Sequence, residues 1–403
     1  MGHPLVTFEE IESADAVVDP VVRRTPLWRA ESLSSLAGRP VLLKNEHLQR
    51  TGSFKIRGAL SVVADLGPDV SEVVAGSSGN HAQGVALAAA QARRAATVFM
   101  PTTAPLPKVQ ATEDYGADVR LEGETVGDAV RAARAHARET GAHFIPPFDD
   151  RRVIAGQGTV GLELAEQVEG AATVLVPIGG GGLISGIAAA LAETRPELDV
   201  VGVQAEGASS MRASLEAGEP VAVEPLRTIA DGIAVPAPSE LTLAHVEALV
   251  ERVVTVDDEA IGRALVLLLE RAKAVVEPAG AVGLAAVLAG HVDGDGPVVV
   301  VLSGGNVDPL LLGRLIDHGL AAAGRFAQVR VVVPDRPGSL AGLARVVAGM
   351  GVNILDVEHH RTGVRLGLED AEILLTLETR DRGHGDAVAD ALREAGARVE
   401  RLA

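Results

Sequence analysis

Short apolar runs alternate with amphipathic stretches from about residue 41 to residue 317. The runs at 41–43, 72–75, 97–100, 173–178, 200–203 and 298–302 read as buried strands. Between them, 83–93, 125–140 and 260–273 space their apolar residues as helices do. Buried strands alternating with helices predict an α/β fold with a mainly parallel sheet covered on both faces. The strands are numerous enough for two such sheets, and a cleft between the two is the expected ligand site.

After residue 317 the pattern changes. Residues 318–324 are a helix end or a linker, and a new unit follows. Its strands are expected at 329–333, 353–359, 371–379 and 398–402, with helices at 339–350 and 386–395. That order is the βαββαβ pattern of ferredoxin-like folds.

Composition changes this picture only by exclusion. No apolar run reaches the roughly 20 residues of a membrane-spanning helix. The start, Met1-Gly2-His3-Pro4, lacks the basic and apolar segments of a secretory signal. The chain has no cysteine, which excludes disulfides and thiolate chemistry and fits a cytoplasmic location. A formal net charge of −18 argues against nucleic acid, whose binding needs Lys and Arg to neutralise phosphates. No nucleic-acid or membrane partner is therefore expected.

Four segments carry candidate chemistry. In Thr51-Gly52-Ser53-Phe54-Lys55-Ile56-Arg57-Gly58-Ala59, Ser53 is placed to cap a helix starting near Phe54. Lys55 then falls in the first turn, where the helix dipole disfavours a cation and loss of its charge as an imine would relieve the conflict. Gly76-Ser77-Ser78-Gly79-Asn80-His81-Ala82-Gln83-Gly84 follows a strand and exposes backbone N–H groups suited to a carboxylate. Gly179-Gly180-Gly181-Gly182-Leu183 stands between a strand and a helix, where ordering four glycines makes sense if the backbone wraps a phosphate. Neither the dinucleotide nor the nucleoside-triphosphate fingerprint is present. Ser303-Gly304-Gly305-Asn306 ends another apolar strand and points a serine at the crevice of an open α/β sheet. Singly, these segments also fit a solvated lysine, a capped turn, a flexible loop and a tight turn. Their shared position at strand C-terminal ends favours one cofactor site.

With these motifs, the first 320 or so residues resemble the fold-type II pyridoxal-phosphate enzymes, specifically the threonine ammonia-lyase (threonine dehydratase) group. The likeness extends to Thr25-Pro26-Leu27, Lys44-Asn45-Glu46-His47-Leu48-Gln49, Ala230-Asp231-Gly232-Ile233-Ala234 and Val276-Glu277-Pro278-Ala279-Gly280-Ala281. The resemblance implies a two-domain, tryptophan synthase β-like catalytic region over residues 1–323, with about 50–150 as its smaller subdomain. It implies pyridoxal 5'-phosphate joined to Lys55 as an imine, Asn80 on the ring hydroxyl and Phe54 against the ring. Gly179, Gly180, Gly181, Gly182 and Leu183 would hold the phosphate, and Ser303 would face the pyridine nitrogen. Ser77, Ser78, Gly79 and His81 would take the substrate carboxylate. The implied reaction is β-elimination from L-threonine, with Lys55 as the general base and L-serine as a further substrate. Serine dehydration and serine racemisation are the alternatives on this scaffold, and Ser78 is placed to serve as a second acid/base. A non-catalytic amino-acid sensor is the remote alternative, though Lys55 and the four glycines are intact.

Residues 327–403 resemble an ACT regulatory domain through Asp335-Arg336-Pro337-Gly338-Ser339-Leu340 and Gly351-Val352-Asn353-Ile354. The resemblance implies that Pro337, Gly338, Ser339, Leu340 and Asn353 hold a branched-chain amino-acid effector, with a purely dimerising module as the alternative. It also implies a homodimer or homotetramer. Glu206 is the candidate ligand for a cation, without a carboxylate cluster around it.

Overall fold

The computed structural model describes residues 4–170, 172–322, 324–361 and 366–402. Met1, Gly2, His3 and the boundary residue Ala323 lie outside the described residues. The chain divides into two compact units, Met1–Asp308 and Pro309–Ala403. The helix Pro309–Ala322 falls in the second of these compact units.

The first unit holds two sheets. The larger contains β1 (Leu27–Arg29), β2 (Val41–Lys44), β7 (Thr173–Pro177), β8 (Asp199–Ala205), β9 (Arg252–Val256) and β10 (Val298–Val301), in the spatial order β1-β2-β10-β7-β8-β9. All pairings are parallel except β1 with β2. The smaller contains β3 (Glu72–Gly76), β4 (Ala95–Met100), β5 (Asp118–Leu121) and β6 (His143–Phe144), in the order β5-β4-β3-β6 and all parallel. Every strand expected from an apolar run is present. The strands β1, β5, β6 and β9 were not expected, because they are short, only partly buried or rich in polar residues.

Local chemistry explains the helix ends near the site. The helix Val126–Thr140 opens on a capping box, in which Thr125 Oγ1 accepts from Asp128 N at 3.1 Å and Asp128 Oδ2 accepts from Thr125 N at 2.9 Å. It closes at Gly141, whose φ of 78° a side chain would disfavour. The four valines of β10 and nearly every residue of the helix Pro278–Leu288 are buried, as parallel sheets covered on both faces require.

The second unit has one antiparallel sheet in the order β12-β13-β11-β14, formed by β11 (Phe326–Pro334), β12 (Asn353–His360), β13 (Asp370–Glu378) and β14 (Arg398–Arg401). Alternate residues of β11 and β13, including Val329, Val331, Ile373 and Leu375, are buried with Leu343, Val347, Val388 and Leu392 of the helices Ser339–Gly349 and Arg382–Glu394. This is the expected ferredoxin-like arrangement.

Candidate active site

The segment before Lys55 and the loop after β10 lie side by side. Ser53 and Gly304 form an antiparallel bridge, Phe54 N donates to Ser303 O at 3.2 Å, and Gly305 N donates to Gly52 O at 2.8 Å. The backbone of residues 52–54 is therefore fixed before the helix Lys55–Asp65 begins. The expected Ser53 cap is not present: Phe54 precedes the first turn without a side-chain cap, and the buried Ser53 hydroxyl has no hydrogen-bond partner among the described residues. Backbone pairing with Gly304 positions this loop in place of the cap.

Lys55 faces a cavity of about 280 Å³. Its ammonium donates to Pro147 O at 2.8 Å and stands 5.1 Å from the centre of the Phe54 ring. Burial lowers its pKa to about 8, against the opposing attraction of Glu277. A lysine that loses its proton this readily is suited to nucleophilic and base chemistry.

All the front-unit candidates except Glu206 line this cavity. The glycine loop leaves the C-terminal end of β7 and starts the helix Gly182–Thr194. Gly181 has a φ of 95°, which favours glycine. A Cβ on Gly180 would overlap the Phe148 ring, and one on Gly181 would press on Met211 and Thr242. Among the described residues, no backbone acceptor meets the N–H groups of residues 179 to 183. A helix N-terminus with several uncommitted N–H groups suits an anion.

The serine-rich turn leaves β3 and starts the helix Asn80–Gln91. Ser77 Oγ accepts from Gly79 N at 3.2 Å, which shapes the turn. Ser78 and Gly79 lie between this bond and the helix. His81 is buried, and Nε2 lies 2.9 Å from Ile145 O, so that nitrogen donates to the carbonyl. Burial, with Lys55 adding repulsion, lowers its pKa to about 3, and the ring is neutral. Asn80 Nδ2 donates to Glu277 Oε1 at 2.7 Å, and Asn80 Oδ1 accepts from Asn306 Nδ2 at 2.7 Å. Ser303, only 3% exposed, closes the cavity at the end of β10.

Several cavity residues had been given no role from the sequence. Glu277 is 6% exposed, and burial with the nearby Asp231 charge raises its pKa to about 7. Lys108 pairs with Asp231 at 3.2 Å across the lining, and Pro147 and Phe148 complete the wall. The acid before Pro278 at the head of an apolar helix was the available signal for Glu277.

Three charges from the matching motifs, Lys44, Glu46 and Arg57, form a buried network with Glu163 of the helix Arg151–Gln167. Arg57 binds Glu46 through Nε at 2.9 Å and Nη2 at 2.8 Å, and meets Glu163 at 2.7 Å. Lys44 pairs with Glu163 and donates to Thr25 O at 2.9 Å. Two cations and two carboxylates balance, as buried charge requires.

Glu206 is exposed at the end of β8 and does not line the cavity. Among the described residues, no group of three or more His, Asp and Glu side chains is arranged to hold a metal ion.

In the second unit, Pro337, Gly338, Ser339 and Leu340 line a cavity of about 350 Å³ with His359 and Arg361. Asn353 is not with them. It lines a different cavity, of about 470 Å³, and donates to Glu378 Oε2 at 3.0 Å. The sheet register gives the reason. Asn353 and Phe326 both pair with Glu378, whereas Pro334, which leads into the 335–338 turn, pairs with Asp370 at the other end of β13.

A family model described as pyridoxal-phosphate dependent enzyme matches residues 18–304, and an ACT domain model matches residues 327–397. The chain belongs to the pyridoxal-phosphate dependent enzyme family, with a C-terminal ACT domain. It is 45% identical over 398 residues to an L-threonine ammonia-lyase of Thermotoga maritima, covering 98% of this chain and 99% of the relative. Among solved structures, the processed form of threonine deaminase isoform 2 from Solanum lycopersicum has a TM-score of 0.74 at 35% identity, covering 78% of this chain and 90% of that one. Maize serine racemase has a TM-score of 0.73 at 36% identity, covering 79% and 99%.

The residues present fit the family's cofactor. The glycine loop leaves its N–H groups for a phosphate and has no room for side chains, while Lys55 offers an amine with a lowered pKa in the same cavity.

Proposed function

We propose that this protein is a threonine ammonia-lyase, which eliminates water from L-threonine to an enamine that water then hydrolyses to 2-oxobutanoate and ammonia, and which also accepts L-serine. One observation carries the reading. Lys55, the glycine loop, the Ser77–His81 turn and Ser303 share one small cavity, in a chain that matches an L-threonine ammonia-lyase along nearly its whole length.

Pyridoxal phosphate, when bound, supplies the electron sink for breaking the Cα–H bond. The residues' parts are those that the family resemblance implies. The N–H groups of Gly179, Gly180, Gly181, Gly182 and Leu183 hold the phosphate at the start of their helix. Asn80 would donate to the ring oxygen, Phe54 would pack on the ring, and Ser303 would face the ring nitrogen. A neutral serine there would not hold a ring proton as a carboxylate would, which would favour prompt elimination. Ser77, Ser78, Gly79 and His81 orient the substrate carboxylate. The Lys55 amine takes the Cα proton as general base.

Two further readings follow from the ACT domain. The 337–340 turn, with His359 and Arg361 beside it, binds a branched-chain amino acid, and paired ACT domains join chains into a homo-oligomer. The catalytic region corresponds to residues 1–323 and the regulatory one to 327–403, in a cytoplasmic enzyme. Among the described residues, no helix is long and apolar enough to cross a membrane.

The test is 2-oxo acid release from L-threonine and L-serine, each with and without isoleucine and valine. Wild type is expected to form 2-oxobutanoate, and Lys55→Ala to form none above background. D-serine accumulating from L-serine faster than 2-oxo acid appears would favour the racemase reading. Equal rates with and without each effector would overturn the sensor role of the ACT domain.

A further inference from the structure

Asn80 lies in a hydrogen-bonded chain whose direction is fixed at one end by the backbone. Asn306 Nδ2 donates to the main-chain carbonyl of Thr51 at 2.8 Å and to Asn80 Oδ1 at 2.7 Å. Asn80 Nδ2 donates in turn to Glu277 Oε1 at 2.7 Å. A carbonyl oxygen only accepts, so the group Asn306 turns toward Thr51 has to be its NH₂. The same NH₂ reaches Asn80, which must answer with its oxygen. The Asn80 NH₂ is then left for Glu277, whose carboxyl keeps an accepting oxygen whether or not it is protonated.

The surroundings enforce this order. Thr51 is 2% exposed, so its carbonyl would be costly to leave unpaired. Gly52 has a φ of 71°, and a Cβ there would overlap Asn306 Oδ1. Gly305 N on Gly52 O at 2.8 Å holds the two loops together.

We infer that Asn306 is a positioning residue that sets the polarity of the Asn80 amide, so that Asn80 presents only a hydrogen-bond donor to the cavity. One N–H of Asn80 is taken by Glu277, and the second is available to an oxygen bearing negative charge. This rests on the proposed function, in which that oxygen is the cofactor's ring hydroxyl in its ionised form. A donor there stabilises the ionised oxygen, and an acceptor there would repel it.

The experiment compares the holoenzyme with Asn306→Asp, which has nearly the same shape but only acceptors, and Asn306→Ala, which deletes the group. The readouts are a pH titration of the bound cofactor's visible absorbance, kcat for L-threonine, and far-UV circular dichroism. Asn306→Asp is expected to move the absorbance titration by about one pH unit, roughly a tenfold change in the ionised fraction, the size of one charge-assisted hydrogen bond. Asn306→Ala is expected to move it less, because Asn80 keeps Glu277. A wild-type titration in Asn306→Asp overturns the inference, and so does a larger shift in Asn306→Ala, which would make packing the cause. If Asn306→Asp loses its circular dichroism signal, Asn306→Ala decides alone: an unmoved titration overturns the inference and a shifted one supports it. A colourless, inactive wild type would sink the proposed function instead, so the two failures are distinct.

Discussion

Glu277 accepts a 2.7 Å hydrogen bond from Asn80 while almost wholly out of solvent. Burial and the neighbouring Asp231 charge outweigh that bond and raise the carboxyl from 4.5 to about 7. A raised pKa means the folded state holds this proton more tightly than the unfolded chain does. The associated stability is full below about pH 4.5 and is lost as pH rises through about 7. Glu277→Gln has no proton to lose there. The urea midpoint of the variant should therefore gain on wild type between pH 4.5 and 7, by a few kcal/mol at about 1.4 kcal/mol per pH unit. A constant difference across that range would contradict the buried acid.

Lys55 carries the opposite prediction, because burial lowers its pKa to about 8. Only the neutral amine attacks an aldehyde. The rate at which cofactor-free protein takes up pyridoxal phosphate should rise with pH and level off above about 8, followed by visible absorbance. A rise continuing toward pH 10 would indicate an ordinary exposed lysine.

The glycine loop is tested at Gly180, where a Cβ would overlap the Phe148 ring. Gly180→Ala should weaken cofactor retention on dialysis by about tenfold or more, while Gly313→Ala, at an exposed and open position of the helix Pro309–Ala322, should not. The measurement is equilibrium titration with pyridoxal phosphate.

Arg57 should matter for stability more than for binding. It is 1% exposed and holds both Glu46 and Glu163. Arg57→Met leaves the buried Glu46 without its paired cation and Glu163 with Lys44 alone, so destabilisation of roughly 3–5 kcal/mol is expected in urea unfolding. Loss below 1 kcal/mol would show that the network is not needed.

The Lys108–Asp231 pair, at 3.2 Å on the cavity lining, is 22% and 66% exposed on its two sides. Exposed pairs contribute about 0–1 kcal/mol and are screened by salt. Asp231→Asn should raise KM for L-threonine by no more than about fivefold, and the variant's KM should respond less to ionic strength than that of wild type.

By itself the sequence determined the elements whose signal is local. The valine run 298–301, the helical spacing of 125–140 and the strand run at 329–333 each announce their structure within a few residues. The motifs around Lys55, Asn80, Gly179–Gly182 and Ser303 were legible for the same reason, since each is a short strand-to-helix or strand-to-loop turn. The exposed edge strand β5 was not legible, because its burial pattern carries no periodic signal.

Only the tertiary structure decided how distant residues meet. Asn80 and Glu277 are 197 residues apart in sequence, and Arg57 and Thr159 are 102 apart, yet each pair shares a hydrogen bond. The placement of Asn353 away from Pro337 likewise follows from strand register, which composition does not encode. Local pattern fixes where the backbone turns, and long-range pairing fixes which polar groups are buried together. Burial then sets the proton affinities of Lys55 and Glu277.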